Sequence, residues 1–332
     1  MKIAILGAGA WGTALGVALA GRHEVVLWAR DPAQAAAIDA ARRNERYLAE
    51  ISLPAALGVS GELERAVEGA ELAILAATAA GLRSSTERIR ETCPDTPFVW
   101  LCKGFEEGSG RLPHEVVAEV FAASAPRCGA LSGPSFALEV AQGLPCALTL
   151  AARDPVFASA TAAALHGGRL RIYFTTDLVG VEIGGAVKNV LAIAVGISDG
   201  LGLGQNARAA LVTRGLAEIQ RLGVALGANG ETIMGLTGAG DLILTATGSL
   251  SRNRKVGLEL AGGRPLAAIL AGLGHVAEGV RSAREVLRLS ERHAVDMPIT
   301  RAVNAVLTEK LSPRDAVESL LARDPRSEGQ DD

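Results

Sequence analysis

One lysine of this chain lies in surroundings where lysine is costly. Lys188 is in the apolar run 179–195, in which Glu182 is the only other charged residue. The two residues are about 240° apart around a helix axis, so they cannot pair on one helix face. A buried ammonium must find an anion elsewhere in the fold, bind a ligand or have a lowered pKa, and a lowered pKa suits proton transfer. The alternative is a side chain that reaches the surface from a mostly buried helix.

Lysine is also scarce in the chain as a whole. Only five of the 33 basic residues are lysines and the other 28 are arginines, so lysine is not the usual surface cation here. Lys103 follows the apolar run 98–102 and precedes Gly104. This places it at the carboxyl end of a predicted strand, the edge at which open α/β sheets bind ligands. A solvated loop lysine is the alternative.

Three glycines near the start of the chain have the spacing of a phosphate-binding turn. Gly7, Gly9 and Gly12 form a GxGxxG pattern between the apolar run 3–6 and a small-residue helix over 13–20. Between a strand and a helix, this pattern lets backbone amides and the helix N-terminus approach a pyrophosphate. It predicts a dinucleotide site, and a tight turn without a ligand is the alternative.

The end of the second predicted strand bears on which dinucleotide binds. NAD-specific sites usually have Asp or Glu there, whereas this chain has Arg30, 18 residues after Gly12 and followed by Asp31. A guanidinium suits a 2′-phosphate, so we expect NADP(H) to be preferred or at least well used. The alternative is an exposed arginine beside a helix cap.

Three segments farther along the chain could bind an anion or a carbonyl group. The turn 131–137 combines glycine, proline and two hydroxyl groups, although it could be a turn only. Asp241 ends the glycine-rich segment 235–241, where it is either a helix N-cap or the carboxylate that faces Lys188. The segment 251–255 combines a serine with three cations at a predicted helix start. It could hold a phosphate or form a basic surface loop.

The pattern of apolar residues predicts the scaffold that positions these groups. In the first half, short apolar runs alternate with helical patterns, which indicates a parallel sheet covered on both faces. After Asp177, long segments repeat apolar residues at helical spacing. The sequence predicts an α/β protein with an N-terminal Rossmann-like, doubly wound parallel sheet that binds the dinucleotide (1–177), an all-α C-terminal domain that binds substrate (178–322) and a disordered tail (323–332).

Individual elements follow from the same patterns. Asp31 and Asp154, each followed by proline, are predicted to cap alanine-rich helices. The predicted strands cover residues 3–6, 25–28, 72–76, 98–102, 146–151 and 170–174. The predicted helices of the second half cover residues 178–198, 207–227, 277–292, 298–309 and 313–322.

Composition argues against several classes of protein. The formal charge of −3 gives no basic footprint for nucleic-acid binding. The uncharged stretch 3–21 contains the glycine turn, so we do not expect a signal peptide or an integral membrane segment there. No metal site is expected, since the chain has no CxxC pair and no HExxH motif. We interpret the cysteines as reduced, mostly buried thiols of a cytoplasmic protein; they are Cys93, Cys102, Cys128 and Cys146.

Eight short motifs occur in order along nearly the whole chain. They are GAGAWGTA (7–14), CKG (102–104), SGPSFA (132–137), GVEIGGAVKN (180–189), GQNARAAL (204–211), TRG (213–215), GAGDL (238–242) and SRNR (251–254). Together they make the sequence resemble the soluble bacterial NAD(P)-dependent glycerol-3-phosphate dehydrogenase family. Two positions depart from that family: the loop 76–81 lacks the usual proline, and Ala246 stands where a cysteine is frequent.

The resemblance implies a role for particular residues. Lys188 would donate and accept the proton, with Lys103 and Asp241 as the other catalytic residues. The glycerol phosphate substrate would contact Lys103, Gly133, Ser135, Lys188, Asp241, Ser251, Arg252 and Asn253. The nicotinamide cofactor would contact Gly7, Gly9, Ala10, Trp11, Gly12, Arg30, Lys103, Ala137, Arg252, Val276 and Glu278. Members of the family are usually homodimers, and their product supplies phospholipid synthesis.

The function that follows is the reversible, NAD(P)H-dependent reduction of dihydroxyacetone phosphate to sn-glycerol 3-phosphate in the cytoplasm. One alternative is a related two-domain reductase of a carboxylate substrate, of the ketopantoate type, which inorganic phosphate would not inhibit competitively. Another is a module that senses NADP(H) without turnover. The presence of both Lys188 and Asp241 argues against the sensor. A multiple-turnover assay would distinguish such a sensor from an enzyme.

Overall fold

The computed structural model describes residues 1–122, 126–273 and 277–324. It confirms the predicted fold class, a mainly parallel sheet with covering helices followed by a helical region. The tail for which disorder is expected lies outside the described residues from residue 325 onward.

The chain divides into two compact units. The N-terminal unit consists of Met1–Glu106 and Arg111–Leu178, and the C-terminal unit consists of Glu107–Gly110 and the chain from Val179 onward. The segment Glu107–Gly110 therefore groups with the C-terminal unit, although it lies inside the range 1–177 that the sequence analysis assigns to one domain. The segment lies close to the helix Glu278–Arg292 of that unit: a Cβ built on Gly110 would be 3.2 Å from a carboxylate oxygen of Glu285.

The N-terminal unit alternates strands and helices along the chain. Its strands are β1 (Lys2–Leu6), β2 (Glu24–Trp28), β3 (Arg43–Asn44), β4 (Leu48–Ser52), β5 (Leu57–Ser60), β6 (Leu72–Leu75), β7 (Phe98–Trp100), β8 (Cys128–Ser132), β9 (Cys146–Ala151) and β10 (Leu170–Thr175). Its helices are α1 (Ala10–Leu19), α2 (Pro32–Ala41), α3 (Leu63–Val67), α4 (Leu82–Thr92), α5 (Pro113–Phe121), α6 (Ala137–Ala141) and α7 (Pro155–Leu165). Asp31 and Asp154 cap α2 and α7 as predicted, each accepting a hydrogen bond from the amide two residues on.

Eight of these strands form one sheet in the order β10-β9-β8-β7-β6-β1-β2-β5. β1 pairs with β2 on one side and with β6 on the other. The chain therefore changes its direction of travel across the sheet between β1 and β6. In open α/β sheets the carboxyl ends of the strands at such a switch point form the ligand-binding crevice.

Strand β1 shows why the predicted strands are continuous apolar runs. Ile3 and Ile5 pack with Leu15 and Leu19 of α1 in one core cluster. Ala4 is fully buried as well, and successive side chains of a strand point to opposite faces. Both faces of the sheet are thus covered here, as in other parallel sheets with helices on each side.

Two features of the sheet differ from the sequence expectation. β8 and β9 pair in antiparallel orientation, because the connection 133–145 begins and ends at the same edge of the sheet, whereas a parallel pair needs a crossover to the opposite edge. The edge strand β5, strand β8 and the small hairpin of β3 and β4 were not among the predicted strands. In β5, Gly58 interrupts the apolar pattern and only the two end residues are buried.

The rest of the described C-terminal unit is helical. Its helices are α8 (Leu178–Gly200), α9 (Gly204–Ala225), α10 (Gly230–Met234), α11 (Asp241–Thr247), α12 (Arg252–Ala261), α13 (Leu266–Leu273), α14 (Glu278–Arg292), α15 (Pro298–Leu307) and α16 (Pro313–Leu321). The predicted helices correspond to α8, α9, α14, α15 and α16. The short helices α10 to α13 were not predicted, except for the helix start at residue 251 and the helix that the N-cap interpretation of Asp241 implies.

Helix α8 is the central element of this unit. It is long and apolar enough to cross a membrane by length and composition, but 94% of its most apolar window is buried inside the protein. Core helices of globular proteins share this property. Lys188 lies near the middle of α8, so its neighbours are protein groups.

A buried carboxylate joins α9 to the start of α15. Glu218 accepts hydrogen bonds from the amides of Ile299, at 2.6 Å, and Thr300, at 3.1 Å, and from the Thr300 hydroxyl at 2.9 Å. Burial raises the pKa of Glu218 to about 7, against the opposing effect of these hydrogen bonds. Because the folded state then favours the protonated carboxyl, its stabilising contribution is complete below the ordinary pKa of 4.5 and is lost as the pH rises to about 7.

We therefore expect the free energy of unfolding of the wild type to fall between about pH 5 and pH 8 by more than that of Glu218→Gln, which cannot titrate. The upper limit of the difference is about 3 kcal/mol. Urea unfolding of both proteins at several pH values measures it. Parallel pH profiles for the two proteins would contradict the assignment.

Candidate active site

Two glycines of the turn after β1 are required by protein packing alone. Gly7 has a φ of +130°, and a Cβ there would lie 2.6 Å from the carbonyl oxygen of Ala76, the residue after β6. A Cβ at Gly12 would lie 2.1 Å from the carbonyl oxygen of Gly7. Only glycine lets α1 lie this close to the end of β1. The loop 76–81, where this chain lacks the usual proline, therefore directly adjoins the glycine turn.

Gly9 has a different reason to be glycine. Its backbone is extended (φ −81°, ψ −176°), and nothing lies within 4 Å of where its Cβ would be. Protein packing does not require glycine here, so this open space is a cradle that a side chain would fill. Ala10 and Trp11 begin α1 beside it, and the first amides of a helix have no partner within the helix. The residues present therefore fit the pyrophosphate of a dinucleotide.

Side chains from elsewhere in the unit fix the shape of this turn. The amide group of Asn44 donates to the carbonyl oxygen of Ala8 at 3.0 Å and to the hydroxyl of Thr13 at 2.8 Å. Gln34 donates to the same carbonyl at 3.3 Å. Asn44 and Thr13 are fully buried, so these bonds are shielded from water and hold the turn in place.

Arg30 lies where the sequence analysis expects a contact with the adenosine ribose. It follows β2, the strand next to β1, and its side chain is exposed. The carboxylate of Asp31 accepts a hydrogen bond from the Ala33 amide at 2.9 Å and so serves as the cap of α2. At this strand end Arg30 is therefore the residue suited to a phosphate rather than to a ribose hydroxyl.

Three predicted substrate residues converge at the carboxyl ends of β7 and β8. The Lys103 ammonium donates to the carbonyl oxygen of Gly133 at 3.0 Å, and the Ser135 hydroxyl donates to the same oxygen at 3.1 Å. Gly133 has a φ of +138°, which favours glycine. Ala137 begins α6, which packs against α1. These contacts place an ammonium and a hydroxyl at the ligand-binding edge of the sheet.

Within the C-terminal unit, Lys188 and Asp241 form a buried ion pair. The Lys188 nitrogen donates to an Asp241 oxygen at 2.7 Å and to the Thr245 hydroxyl at 2.6 Å. The Thr245 hydroxyl in turn donates to the same carboxylate oxygen at 3.3 Å. Lys188 is only 6% exposed and Asp241 only 1%. Asp241 is the first residue of α11, and Gly240 occupies the N-cap position, so the N-cap interpretation of Asp241 is wrong.

Glycines explain how the carboxylate comes to lie against α8. Gly184 is one turn before Lys188, and a Cβ there would lie 2.8 Å from the carbonyl oxygen of Thr237. A Cβ on Gly238 would lie 1.9 Å from the carbonyl oxygen of Ile233. The turn Leu236–Gly240 thus lies directly on the α8 backbone, and the residue after it reaches Lys188.

The first turn of α12 is held to α8 and α14. The Asn253 amide group donates to the Asn189 side chain at 2.9 Å and accepts from the Gly279 amide at 3.0 Å. The Ser251 hydroxyl caps α12 by accepting from the Arg254 amide at 3.2 Å. Ser251 and Asn253 therefore have structural partners, whatever they contact in a ligand. Asn189 follows Lys188 in the chain, so this turn lies next to the ion pair.

Two charged residues stand at the starts of neighbouring helices. Arg252 begins α12 and Glu278 begins α14. Partial burial lowers the pKa of Arg252, against the opposing effect of Glu278, although the arginine surface remains open to solvent. Burial raises the pKa of Glu278, against the effects of Arg252 and Arg281. A partly desolvated guanidinium beside a helix N-terminus can bind a phosphate.

Sequence reasoning missed several residues of these groups. Thr245 had a signal, since it lies four residues after Asp241 on a helix and so shares its face. Asn189 lies within a motif of the resemblance but was given no role, and Asn44 had no signal in the sequence. Val276, an expected cofactor contact, lies outside the described residues.

Two expectations about cysteine and metal chemistry can be compared with the structure. The four cysteines are thiols rather than disulfides, but only Cys146 is buried and the other three are partly exposed. Across residues 1–122, 126–273 and 277–324, no group of three or more His, Cys, Asp or Glu side chains could hold a metal ion.

Comparison with known proteins gives consistent matches. The family model described as the NAD-dependent glycerol-3-phosphate dehydrogenase N-terminus matches residues 2–158, and the model for the C-terminus matches residues 177–318. The chain is 57% identical over 329 residues to a glycerol-3-phosphate dehydrogenase (NAD(P)+) of Aromatoleum aromaticum, covering 99% of this chain and 100% of the relative. It is 59% identical over 328 residues to the enzyme of the same description from Dechloromonas aromatica, covering 99% of each. A crystal structure of glycerol-3-phosphate dehydrogenase from Coxiella burnetii matches with a TM-score of 0.91 at 40% identity, covering 97% of this chain and 99% of that one.

The different roles of Gly9 and Gly12 give a paired test of the turn. Gly9→Ala adds a methyl group to open space, so we expect thermal unfolding close to that of the wild type and dinucleotide affinity lower by about tenfold or more. Gly12→Ala places a methyl group 2.1 Å from the carbonyl oxygen of Gly7, so we expect a lower unfolding temperature. Thermal unfolding and fluorescence titration with NADPH measure both effects. Unchanged nucleotide affinity in Gly9→Ala would show that the open space is not the phosphate site.

Proposed function

The chain belongs to the NAD-dependent glycerol-3-phosphate dehydrogenase family, and on that premise we propose that Lys188 transfers the proton in its reaction. The enzyme is an oxidoreductase that interconverts dihydroxyacetone phosphate and sn-glycerol 3-phosphate with NAD or NADP. The observation that carries the proposal is the buried contact of 2.7 Å between Lys188 and Asp241. When bound, the nicotinamide supplies the hydride that the C2 carbonyl carbon receives.

Lys188 supplies the proton that the carbonyl oxygen needs during reduction. Its ammonium is held by Asp241 and Thr245, so its position does not depend on substrate. As negative charge develops on the carbonyl oxygen, an ammonium positioned beside it stabilises that charge and then transfers the proton. In the reverse direction the neutral amine takes the hydroxyl proton. Asp241 keeps the ammonium charged and oriented while the ketone is bound.

The first turn of α12 supplies the binding site for the substrate phosphate. Arg252 offers a guanidinium, and the free amides of the helix start add directional hydrogen-bond donors. Asn253 of this turn is hydrogen-bonded to Asn189, the residue after Lys188. The phosphate-binding turn and Lys188 are therefore held in a defined arrangement within the C-terminal unit. Binding energy from the phosphate can then orient the ketone, an effect worth about 7 kcal/mol in favourable geometries.

In the N-terminal unit the glycine turn with Ala10 and Trp11 binds the dinucleotide. Ala137, Arg252 and Glu278 are further cofactor contacts. Arg30 contacts the 2′-phosphate, so NADP(H) is preferred or at least well used. Lys103, Gly133 and Ser135 contact the substrate, as do Asp241, Ser251 and Asn253 beside Lys188. These assignments rest on the family resemblance and on the positions that the contacts above describe.

The two alternatives from the sequence analysis are not favoured. Both family models and relatives at 57% and 59% identity concern glycerol-3-phosphate dehydrogenase rather than reductases of carboxylate substrates. The phosphate-binding character of α12 agrees with this, since Arg252 stands beside helix amides. A module that senses NADP(H) without turnover would not need the buried pair of Lys188 and Asp241.

The setting of the enzyme is a further part of the proposal. We place it in the cytoplasm as a homodimer whose product supplies phospholipid synthesis. The four cysteine thiols support a reducing compartment, and the dimer rests on the family resemblance.

Lys188→Ala tests the proposed function directly. We expect turnover of dihydroxyacetone phosphate with NADPH to fall by about a hundredfold to ten-thousandfold, because the proton donor is lost, while NADPH affinity stays within about threefold. Loss of nicotinamide absorbance and fluorescence titration measure the two quantities. Turnover within tenfold of the wild type would contradict the role.

Two further variants separate chemistry from folding. Lys188→Arg keeps a positive charge opposite Asp241, but a guanidinium does not release its proton near neutral pH, so it too should lose turnover. Lys310→Ala removes an exposed lysine that lies three residues after α15 and should retain full activity. If Lys188→Arg kept wild-type turnover, the proton-transfer role would be wrong.

A further inference from the structure

The helices α8 and α12 touch backbone to backbone. A Cβ on Gly196 would lie 2.1 Å from the carbonyl oxygen of Arg254, and a Cβ on Gly257 would lie 2.1 Å from that of Ile193. Glycine contacts of this kind fix how close two helices lie. Polar bonds on either side of these contacts add directional restraints on the position of α12 along α8.

Asp199, in the last turn of α8, supplies one such bond. One of its oxygens accepts from Arg254 of α12, with contacts of 2.7 and 2.8 Å, and the other accepts from Arg208 of α9 at 2.8 Å. The Asp199 side chain is only 6% exposed, so water screens these contacts little. A negative charge in the last turn of a helix opposes the helix dipole. Helix stability therefore does not explain an aspartate at this position.

The second bond is the one between Asn189 and Asn253. Asn189 and Asp199 are ten residues apart on α8, about 15 Å along the axis, and the glycine contact lies between them. The first turn of α12 is therefore bonded to α8 at two separated positions, through Asn253 to Asn189 and through Arg254 to Asp199. Arg252 belongs to that turn, so its position along α8, relative to Lys188, is set from both sides.

We infer that Asp199 is a positioning residue for the phosphate end of the substrate, acting through Arg254 on the first turn of α12. The inference rests on the proposed function, in which that turn binds the phosphate. If Asp199 no longer holds Arg254, the turn shifts and the phosphate grip weakens. The bonds that Lys188 makes to Asp241 and Thr245 join α8 to α11, so we expect that contact to stay in place.

Asp199→Asn keeps the shape of the side chain and removes its charge. We expect kcat/KM for dihydroxyacetone phosphate to fall by about tenfold or more, and the inhibition constant of inorganic phosphate to rise by a similar factor. Dihydroxyacetone lacks the phosphate, so kcat/KM for it should change by less than about twofold. A general loss of structure would lower both activities together and would overturn the inference. Wild-type values for both substrates would overturn it as well.

Two companion variants keep the test decisive. Asp296→Asn is the matched control, since Asp296 also pairs with two arginines, Arg301 and Arg323, elsewhere in the same unit. It should leave both activities unchanged. If Asp199→Asn does not fold, Arg254→Lys keeps the charge but replaces the two guanidinium contacts with Asp199 by at most one ammonium contact, and should show a selective loss of the same kind.

Failure of the proposed function would look different. In that case the wild type itself would not turn over dihydroxyacetone phosphate, and inorganic phosphate would not compete with it. If the wild type passes both tests and neither Asp199→Asn nor Arg254→Lys weakens phosphate binding, the positioning role alone is wrong.

Discussion

The structure depends on one constraint, a buried ammonium that must face a buried carboxylate. Taking Lys188 and Asp241 out of water costs on the order of several kcal/mol per ion, and their attraction does not generally exceed that cost. Such a pair is therefore weak evidence for stability and stronger evidence for function. The Lys188 ammonium has two defined partners in Asp241 and Thr245, so its nitrogen is held before any substrate arrives. That preorganisation is what proton transfer requires.

Helix α8 meets this constraint because small residues stand where other backbones approach it. Gly184 admits the turn that leads to Asp241, and Gly196 admits α12. Between these two contacts lie Lys188 and Asn189, which carry the ion pair and the tie to α12. The same device appears in the N-terminal unit, where Gly7 and Gly12 let α1 lie against the end of β1. In both units glycine permits the approach, and polar side chains fix the final geometry.

The sequence predicts the parts of this arrangement that have a local signal. Lys188 has such a signal because lysine is scarce in this chain and the segment around it is apolar. For Asp241, the role of a carboxylate facing Lys188 was one of two interpretations. The alternation of apolar runs and helical patterns predicted the fold class. The antiparallel pair of β8 and β9 had no local signal, since strand direction depends on where the connection ends. Asn44 and Asp199 could not be found either, because their roles arise from contacts with residues distant in the chain.

Chemical rescue of Lys188→Ala measures proton donation at the position of the Lys188 nitrogen itself. Removing the side chain leaves a space beside Asp241 and Thr245 into which a small primary ammonium ion can fit. We expect methylammonium to raise the turnover of this variant in a saturable way, by about tenfold or more, because it restores a proton donor. Tetramethylammonium has the same charge but no proton to give, so it should not restore turnover. Equal effects of the two ions, or no rescue by methylammonium while NADPH still binds, would contradict the claim that Lys188 transfers the proton.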